Sequence, residues 1–444
     1  MLETIRAYAR ERLAEKDEGE EVRRRFRDYF VSLAEAQDRE LLGPGQGQAL
    51  SVLAADHDNL RQAIELCLAD DAGSDLAWRL AGSLGRYWYI RGHWSEGRAA
   101  FARIRAARSG TETTGAAANA LGWSGNLAKL QGDYAQAKRD LEESLRIRRA
   151  IEDEAGVASS LTNLANVLKD QGRPREARAL YEESLALQRK LGNRAGVALA
   201  LNCLGIVSYM EGDLHEALRL QEEGLRIRRE IGDAAGIAAS LNNVGALAEA
   251  VGECDRAVAR LEECLAIRRE MGDRWGVAAA LNNLGRLAEA RADLEEAERA
   301  FAEGLETFRD LGDRRGIATA ANNLASVLLR LEREQDARPL LGEGLRIFRE
   351  LGDRASLPSI LDLFGVRFFQ TNSHERALRC LAVASRLRKE HGLGPGPDRE
   401  GRIEQAMESL RSSLGPERFE EVWKEGLLQD LDEVAEWGAE ALRP

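Results

Sequence analysis

Few residues of this chain have types and spacings that could do chemistry, and asparagine is the most regular among them. Asn242-Asn243, Asn282-Asn283 and Asn322-Asn323 recur 40 residues apart, and Asn163 and Asn202 continue the series singly. Asparagine is a poor helix former, so two in mid-helix cost about 1 kcal/mol together relative to alanine. A side-chain amide both donates and accepts. A ladder of amides therefore has two uses: gripping the backbone of an extended peptide, or bonding neighbouring helices to each other. At about 0.5–1.5 kcal/mol per hydrogen bond, four or five rungs matter together. Catalytic and metal-binding patterns are weaker. No GxxxxGK(S/T) phosphate loop occurs, and GPGQGQ at 43–48 has glycines but no lysine and no preceding strand. His215-Glu216 and His374-Glu375 begin like a zinc-binding helix, but neither has a second histidine three residues after the glutamate. Ser124 in GWSGN lacks the spacing of a nucleophile elbow. His57, between Asp56 and Asp58, has carboxylates beside it for proton transfer but reads as a packing residue. The expectation is a protein that is not an enzyme and uses no cofactor and no metal.

The period that spaces the asparagines organises the middle of the chain. The blocks beginning at Leu241 and Leu281, LNNVGALAEA and LNNLGRLAEA, align over 40 residues without a gap, as do those from 161, 201 and 321. Each copy predicts two helices. The first carries the apolar stripe Leu241, Val244, Gly245 and Ala248, and the second carries Ala257, Leu261, Cys264 and Leu265. Gly252 marks the turn between them. Gly272 suits a left-handed C-cap, and Asp273 can then N-cap the next helix. Gly232-Asp233, Gly312-Asp313 and Gly352-Asp353 repeat that junction, and Gly192-Asn193 varies it. Small residues fall where the helices must approach. Gly125, Ala165, Gly205, Gly245, Gly285, Ala325 and Gly365 recur in the first helix, and the alanines from Ala137 to Ala377 in the second. A bulky side chain there would overpack the pair by about 1–3 kcal/mol.

This unit resembles the tetratricopeptide repeat. Leu201, Leu204-Gly205, Ala217 and Gly224 match the family's order of apolar, apolar-glycine, alanine and small residue, while Gln221 departs at its large apolar position. The common unit is 34 residues, and the extra length here would add about 9 Å of helix per copy at 1.5 Å per residue. The 40-residue, LNNLG-bearing kind is similar to repeats of kinesin light chains and spindle-orientation adaptors. The match covers seven units over 112–393. Gly85, Gly92 and Phe101 lie 40 residues before Gly125, Gly132 and Leu141, so 76–111 reads as an eighth, degenerate unit. Tyr87, Trp88, Tyr89 and Trp94 crowd it and read as core or capping surface rather than a ligand box. The expected fold is all-α: one right-handed superhelical solenoid of helix-turn-helix repeats, with helical caps at 1–75 and 394–444.

Residues 1–40 predict two helices, with Ile5, Tyr8 and Leu13 in the stripe. A loop is expected at 43–48, and one helix over 50–70 around Leu53, Asn59, Leu60, Ile64 and Leu68. MLETIRAYARERL, ADHDNLRQAI (55–64) and RYWYIRGHWSEGR (86–98) resemble the segment after the ATPase core in large bacterial signal-transduction ATPases of the apoptotic-ATPase-like class. Many of those are transcription factors, and there the first of these motifs ends a winged-helix element ahead of the repeats. The stretch at 414–442, LGPERFEEVWKEGLLQDLDEVAEWGAEAL, resembles their closing segment. The resemblance implies a sensor half without its ATPase, which would be a partner in cis or in trans. Met1 as an alternative start, a fragment boundary or the start of a separate protein stays open.

The net charge of −12 and a pI near 5.3 argue against a nucleic-acid-binding surface. The pairs Arg228-Arg229 and Arg268-Arg269 fall in the last turn of second helices, favour the helix dipole, and read as solvated helix ends. Five cysteines, at 67, 203, 254, 264 and 380, form no CxxC and read as reduced core residues of a cytoplasmic protein. No run of 18 apolar residues and no basic-then-apolar start occur, so neither membrane insertion nor secretion is expected.

In tetratricopeptide solenoids the first helices line a groove. The resemblance therefore places Asn163, Asn202, Asn242, Asn243, Asn282, Asn283, Asn322 and Asn323 in a peptide-binding groove. Lys129, Lys169, Tyr209, Glu249, Arg286 and Glu289 would set preference there. An amide ladder that only stabilises the stack is the alternative. The expected function is a non-enzymatic solenoid that binds a protein or peptide partner, as the ligand-sensing part of a bacterial regulator in transcription or defence. In the family, ligand binding shifts the repeats and releases an autoinhibited ATPase. Two alternatives remain: a metabolite sensor binding inside the superhelix, and an oligomeric scaffold joined through end caps bearing Trp423 and Trp437.

Overall fold

Each junction between consecutive repeats turns on a left-handed residue followed by a capping side chain. Gly272 has φ +67°, and Asp273 then accepts the Gly276 backbone N–H at 2.9 Å. Asn193, Asp233 and Asp313 cap their helices in the same way. The computed structural model describes residues 19–41, 45–69, 74–107, 113–391, 397–431, 433, 434 and 437. The expected Ile5, Tyr8 and Leu13 helix, and the end of the 414–442 motif, lie outside them. Among the described residues there are twenty-one α-helices and no strand. They fall into two compact units, Met1–Ile231 and Gly232–Pro444.

Unit 1 begins with α1 (Gly19–Glu40), α2 (Gln46–Ala55) and α3 (His57–Ala69), followed by the pair α4 (Ser74–Arg91) and α5 (Trp94–Ala106). Three hairpins follow: α6 (Gly115–Leu130) with α7 (Tyr134–Ala150), α8 (Glu154–Asp170) with α9 (Pro174–Lys190), and α10 (Arg194–Met210) with α11 (Leu214–Ile231). Two local expectations fail here. Residues 46–48 are helical rather than loop, and 50–69 is divided between two helices, not one. The break is at Asp56, whose carboxylate accepts from the Asn59 amide at 2.8 Å and restarts the chain as α3. Tyr87 and Trp88 are core, 2% and 1% exposed, with Trp88 edge-on to Phe101. Tyr89 points outward.

Unit 2 holds four hairpins: α12 (Ala234–Ala250) with α13 (Cys254–Glu270), α14 (Arg274–Ala290) with α15 (Leu294–Leu311), α16 (Arg314–Arg330) with α17 (Glu334–Glu350), and α18 (Leu357–Gln370) with α19 (His374–His391). α20 (Pro397–Leu414) and α21 (Pro416–Leu428) pack on α19. Trp423 stacks on Phe419, and Arg376 lies over Trp437 at 5.7 Å. Both tryptophans pack against the unit 2 core.

The small residues of the first helices are contact points in both units. A Cβ on Gly125 would lie 2.6 Å from Leu141, on Gly245 2.8 Å from Leu261, and on Gly285 2.7 Å from Phe301. Gln221 occupies that large register in its repeat, buried, donating to the Asn202 backbone carbonyl at 3.0 Å. The solvated reading of the arginine pairs needs correction. Arg228 is buried, and Arg268 folds back over Gly276 to pair with Asp273. Only the second arginine points outward, as Arg269 does to reach Glu303 at 2.7 Å. The five cysteines are free, and four are buried. No described helix is long and apolar enough to cross a membrane.

Candidate ligand-binding face

One face of each first helix from α6 to α16 carries the asparagine registers, and the two units treat it differently. In unit 2 these side chains bond to one another. Asn283 Nδ2 donates to Asn242 Oδ1 at 2.6 Å, and Asn323 Nδ2 to Asn282 Oδ1 at 3.0 Å. A second row runs one turn further on. Arg286 pairs with Glu249 at 2.8 Å, Ser326 donates to Glu289 at 2.9 Å, and Arg330 donates to the Glu289 backbone carbonyl at 3.0 Å. The ladder ends at α18, where Leu363 occupies the donor register. Asn322 then donates to Ser359 at 3.1 Å, and its own Oδ1 is buried without a partner. Asn322, Asn323 and Glu289 are 3%, 7% and 6% exposed, while Asn242, Asn243, Asn282 and Asn283 are half-buried.

In unit 1 no such rung forms between α6 and α8 among the described residues. The acceptor register holds Gly122 on α6, which has no side chain to offer, and on α8 Thr162, whose hydroxyl donates back to Ala158. Asn126 and Asn163 are half-buried and carry no side-chain hydrogen bond among the described residues. Asn166 accepts from the Tyr181 hydroxyl at 2.7 Å, and burial raises the Tyr181 pKa, so that hydroxyl stays a donor. Lys129 and Lys169 both reach Asp170, at 3.4 and 2.8 Å. Asn202 is half-buried, and Tyr209 is 55% exposed. Trp123 stands in the second asparagine register, seated on Gly85 with the Arg86 guanidinium 5.3 Å from its ring. Sequence reasoning missed Asn126, Asn166 and Trp123. The signal for the first two was their own 40-residue spacing, three residues beyond the register of Asn163.

Two other features bring polar groups together. His57 Nε2 lies 3.1 Å from Glu96 and Nδ1 3.1 Å from the Tyr87 hydroxyl, while Arg61 donates twice to Glu96, at 2.9 and 2.6 Å. Burial opposes ionisation of Glu96, but the Arg61 hydrogen bond and the nearby cationic groups outweigh it and hold the carboxyl below its ordinary range. Because Glu96 can only accept, His57 Nε2 is the donor between them, and the other ring nitrogen faces the Tyr87 hydroxyl. That hydroxyl is buried, so the cluster ties α3 to α4 and α5. The second feature is a cavity of about 330 Å³ over α10, between α9 and α11. Leu185, Leu201, Leu204 and Leu220 line it with three arginines and three glutamates. Among the described residues no cluster of three or more His, Cys, Asp or Glu could hold a metal ion.

Stacked helix pairs with side-chain-lined first helices define a repeat solenoid, a class of protein whose role is binding. A family model for the tetratricopeptide repeat matches 116–190, 196–270 and 316–390, more than half of the chain, and a second matches 277–311. The chain belongs to the tetratricopeptide repeat family. Its fold is similar to the apo quorum sensor NprR from B. thuringiensis, at 14% identity and TM-score 0.59, covering 83% of this chain and 99% of that one. It is also similar to a signal transduction ATPase with numerous domains from Pyrococcus horikoshii that carries a tetratricopeptide repeat sensor. There the identity is 14% and the TM-score 0.54, over 75% of this chain and 54% of that one. A third is aspartyl phosphate phosphatase F from Bacillus subtilis, at 10% identity and TM-score 0.52, over 77% and 91%. No curated protein sequence matches this chain.

Proposed function

We propose that this chain binds a protein or peptide segment along the exposed face of its first helices, as the ligand-sensing part of a signal-transduction ATPase regulator. The observation that carries this reading is the recurrence of amide side chains on one face of every first helix from α6 to α16, with charged side chains beside them on α6, α8, α12 and α14. A quorum sensor and an ATPase with a repeat sensor share the fold, which supports a sensing role. Residues 112–393 are the binding repeats, 76–111 a degenerate unit, and 1–75 and 394–444 the caps. Five free thiols fit a reducing, cytoplasmic setting. The ATPase acts in cis or in trans, and neither nucleic acid nor membrane is a partner.

The metabolite alternative has one observation in its favour, the cavity between α9 and α11. The scaffold alternative loses support, because Trp423 and Trp437 pack inward. The test is capture from native lysate on the immobilised full chain, with retained proteins, peptides and metabolites all identified by mass spectrometry. A retained peptide or protein segment that binds again when synthesised alone supports the proposal. Metabolites alone would replace it with the small-molecule reading.

A further inference from the structure

We propose that the ligand sits on the first-helix face of unit 1, at Asn126, Asn163, Lys129 and Lys169, that it is an acidic extended peptide segment, and that the asparagine ladder of unit 2 takes no ligand. This rests on the peptide-binding reading above and narrows it.

The first ground is hydrogen-bond accounting. A ligand backbone needs side-chain donors and acceptors that are not already committed. In unit 2 the rungs Asn283–Asn242 and Asn323–Asn282 hold each other. Breaking a rung to bind a ligand exchanges one hydrogen bond for another and gains little. Asn322 and Asn323 are also under one-tenth exposed. In unit 1, Asn126 and Asn163 are open among the described residues. Leu141 stands where Tyr181 stands in the next repeat, so Asn126 has no hydroxyl partner of the kind Asn166 has. Each free amide offers a donor and an acceptor, which matches one peptide unit. Neighbouring helices lie roughly 8–10 Å apart, and an extended chain rises about 3.3 Å per residue. A peptide crossing from α6 to α8 therefore presents one backbone group to each helix about three residues apart.

The second ground is charge. Lys129 and Lys169 share the single carboxylate of Asp170, which leaves one positive charge uncompensated. An acidic side chain of the ligand would complete two pairs. The same register in unit 2 holds Glu249 and Glu289, each already paired with an arginine, Arg286 and Arg330. Thus the face with open amides also carries the uncompensated positive charge, and the face with bonded amides offers an acidic ligand none.

The test selects a displayed library of random linear peptides on the full chain. The wild type is expected to enrich a consensus containing acidic residues. A Lys129→Gln/Lys169→Gln variant and an Asn126→Ala/Asn163→Ala variant, each checked for unchanged helicity, should bind that consensus about tenfold or more weakly. An Asn283→Ala/Asn323→Ala variant should bind it within about threefold of wild type. In wild-type protein, a photo-crosslinker at the acidic position of the peptide should label α6 or α8, a result independent of how the variants fold. A neutral or basic consensus, labelling of unit 2, or loss of binding only in the Asn283/Asn323 variant would overturn the inference while leaving the peptide reading intact. If wild type enriches no peptide, both fall.

Discussion

The face that unit 2 closes with side-chain bonds is left open at Asn126 on α6 and Asn163 on α8 of unit 1. The helix pairs beneath are built alike. In both units a glycine of the first helix receives the large residue of the second, Leu141 on Gly125 and Phe301 on Gly285. What differs is a handful of exposed registers. Where two asparagines follow each other, as in Asn282-Asn283, the second donates backward and the first accepts from the next repeat. Where the acceptor is replaced by Gly122, the donor of the next helix is left unused. One duplicated backbone thus serves either cohesion or recognition, and the choice lies in side chains that the helix itself does not need.

That comparison assumes a common frame, and the largest expected effect tests it. Gly125→Val in unit 1 and Gly285→Val in unit 2 should each destabilise by about 2–3 kcal/mol, because the added side chain meets a buried neighbour in both. Urea unfolding of the full chain would show the loss. Unequal losses would mean that the hairpins differ beneath the faces, and the contrast between the faces would lose its meaning.

A smaller effect separates structural polar groups from recognition groups inside unit 1. Glu96→Gln should lower stability by about 1–3 kcal/mol near neutral pH, since Arg61 and His57 lose a charged acceptor. Glu96 is held below its ordinary pKa when folded, so its contribution is present above the unfolded carboxylate pKa. It disappears as pH falls through the lower, folded value. The difference between wild type and Glu96→Gln should therefore shrink on acidification below the ordinary carboxylate range. A difference that stayed constant down to strongly acidic pH would show that the cluster works through packing alone.

Smaller still is the rung itself. A double-mutant cycle on Asn242→Ala and Asn283→Ala should give a coupling of about 1 kcal/mol. Asn163→Ala in unit 1 should change stability by no more than about 0.5 kcal/mol. Coupling near zero across Asn242 and Asn283 would return the ladder to the ligand-binding role.

How much of this could be read in advance follows from the same residues. The repeat and its helix pairs were visible because Gly272-Asp273 and Gly245 act locally, through backbone conformation and close approach. Helices α2 and α3 were harder, since the break at Asp56 depends on a contact with Asn59 that leaves no period. The asparagines were visible, but their use was not. Whether Asn283 meets an acceptor depends on the residue 41 positions earlier in a neighbouring helix. Asn126 and Asn166 repeat only once, since the same register holds Ile206, Ala246, Arg286 and Ser326 further on, so a single interval is all that marks them. Arg228 and Arg268 were misplaced because a charged pair at a helix end looks solvated until the glycine of the next helix is seen to make room for the first.

The smallest effect expected concerns the turns, which the two units share. Ala292 and Glu152 adopt φ +60° and +59° at registers where other repeats have glycine, such as Gly252 at +84° and Gly192 at +67°. An L-residue in this region costs about 1–2 kcal/mol, and part of that is returned because glycine loses more freedom on folding. Ala292→Gly and Glu152→Gly should therefore each stabilise by about 0.5–1 kcal/mol, read as a higher urea midpoint. No heavy atom would lie within 4 Å of a Cβ on Gly252 or Gly192, so packing does not enter and backbone strain alone sets the sign. Both positions should gain, and peptide binding should not move with it. A loss at either position would show that contacts of the native side chain outweigh the backbone strain there.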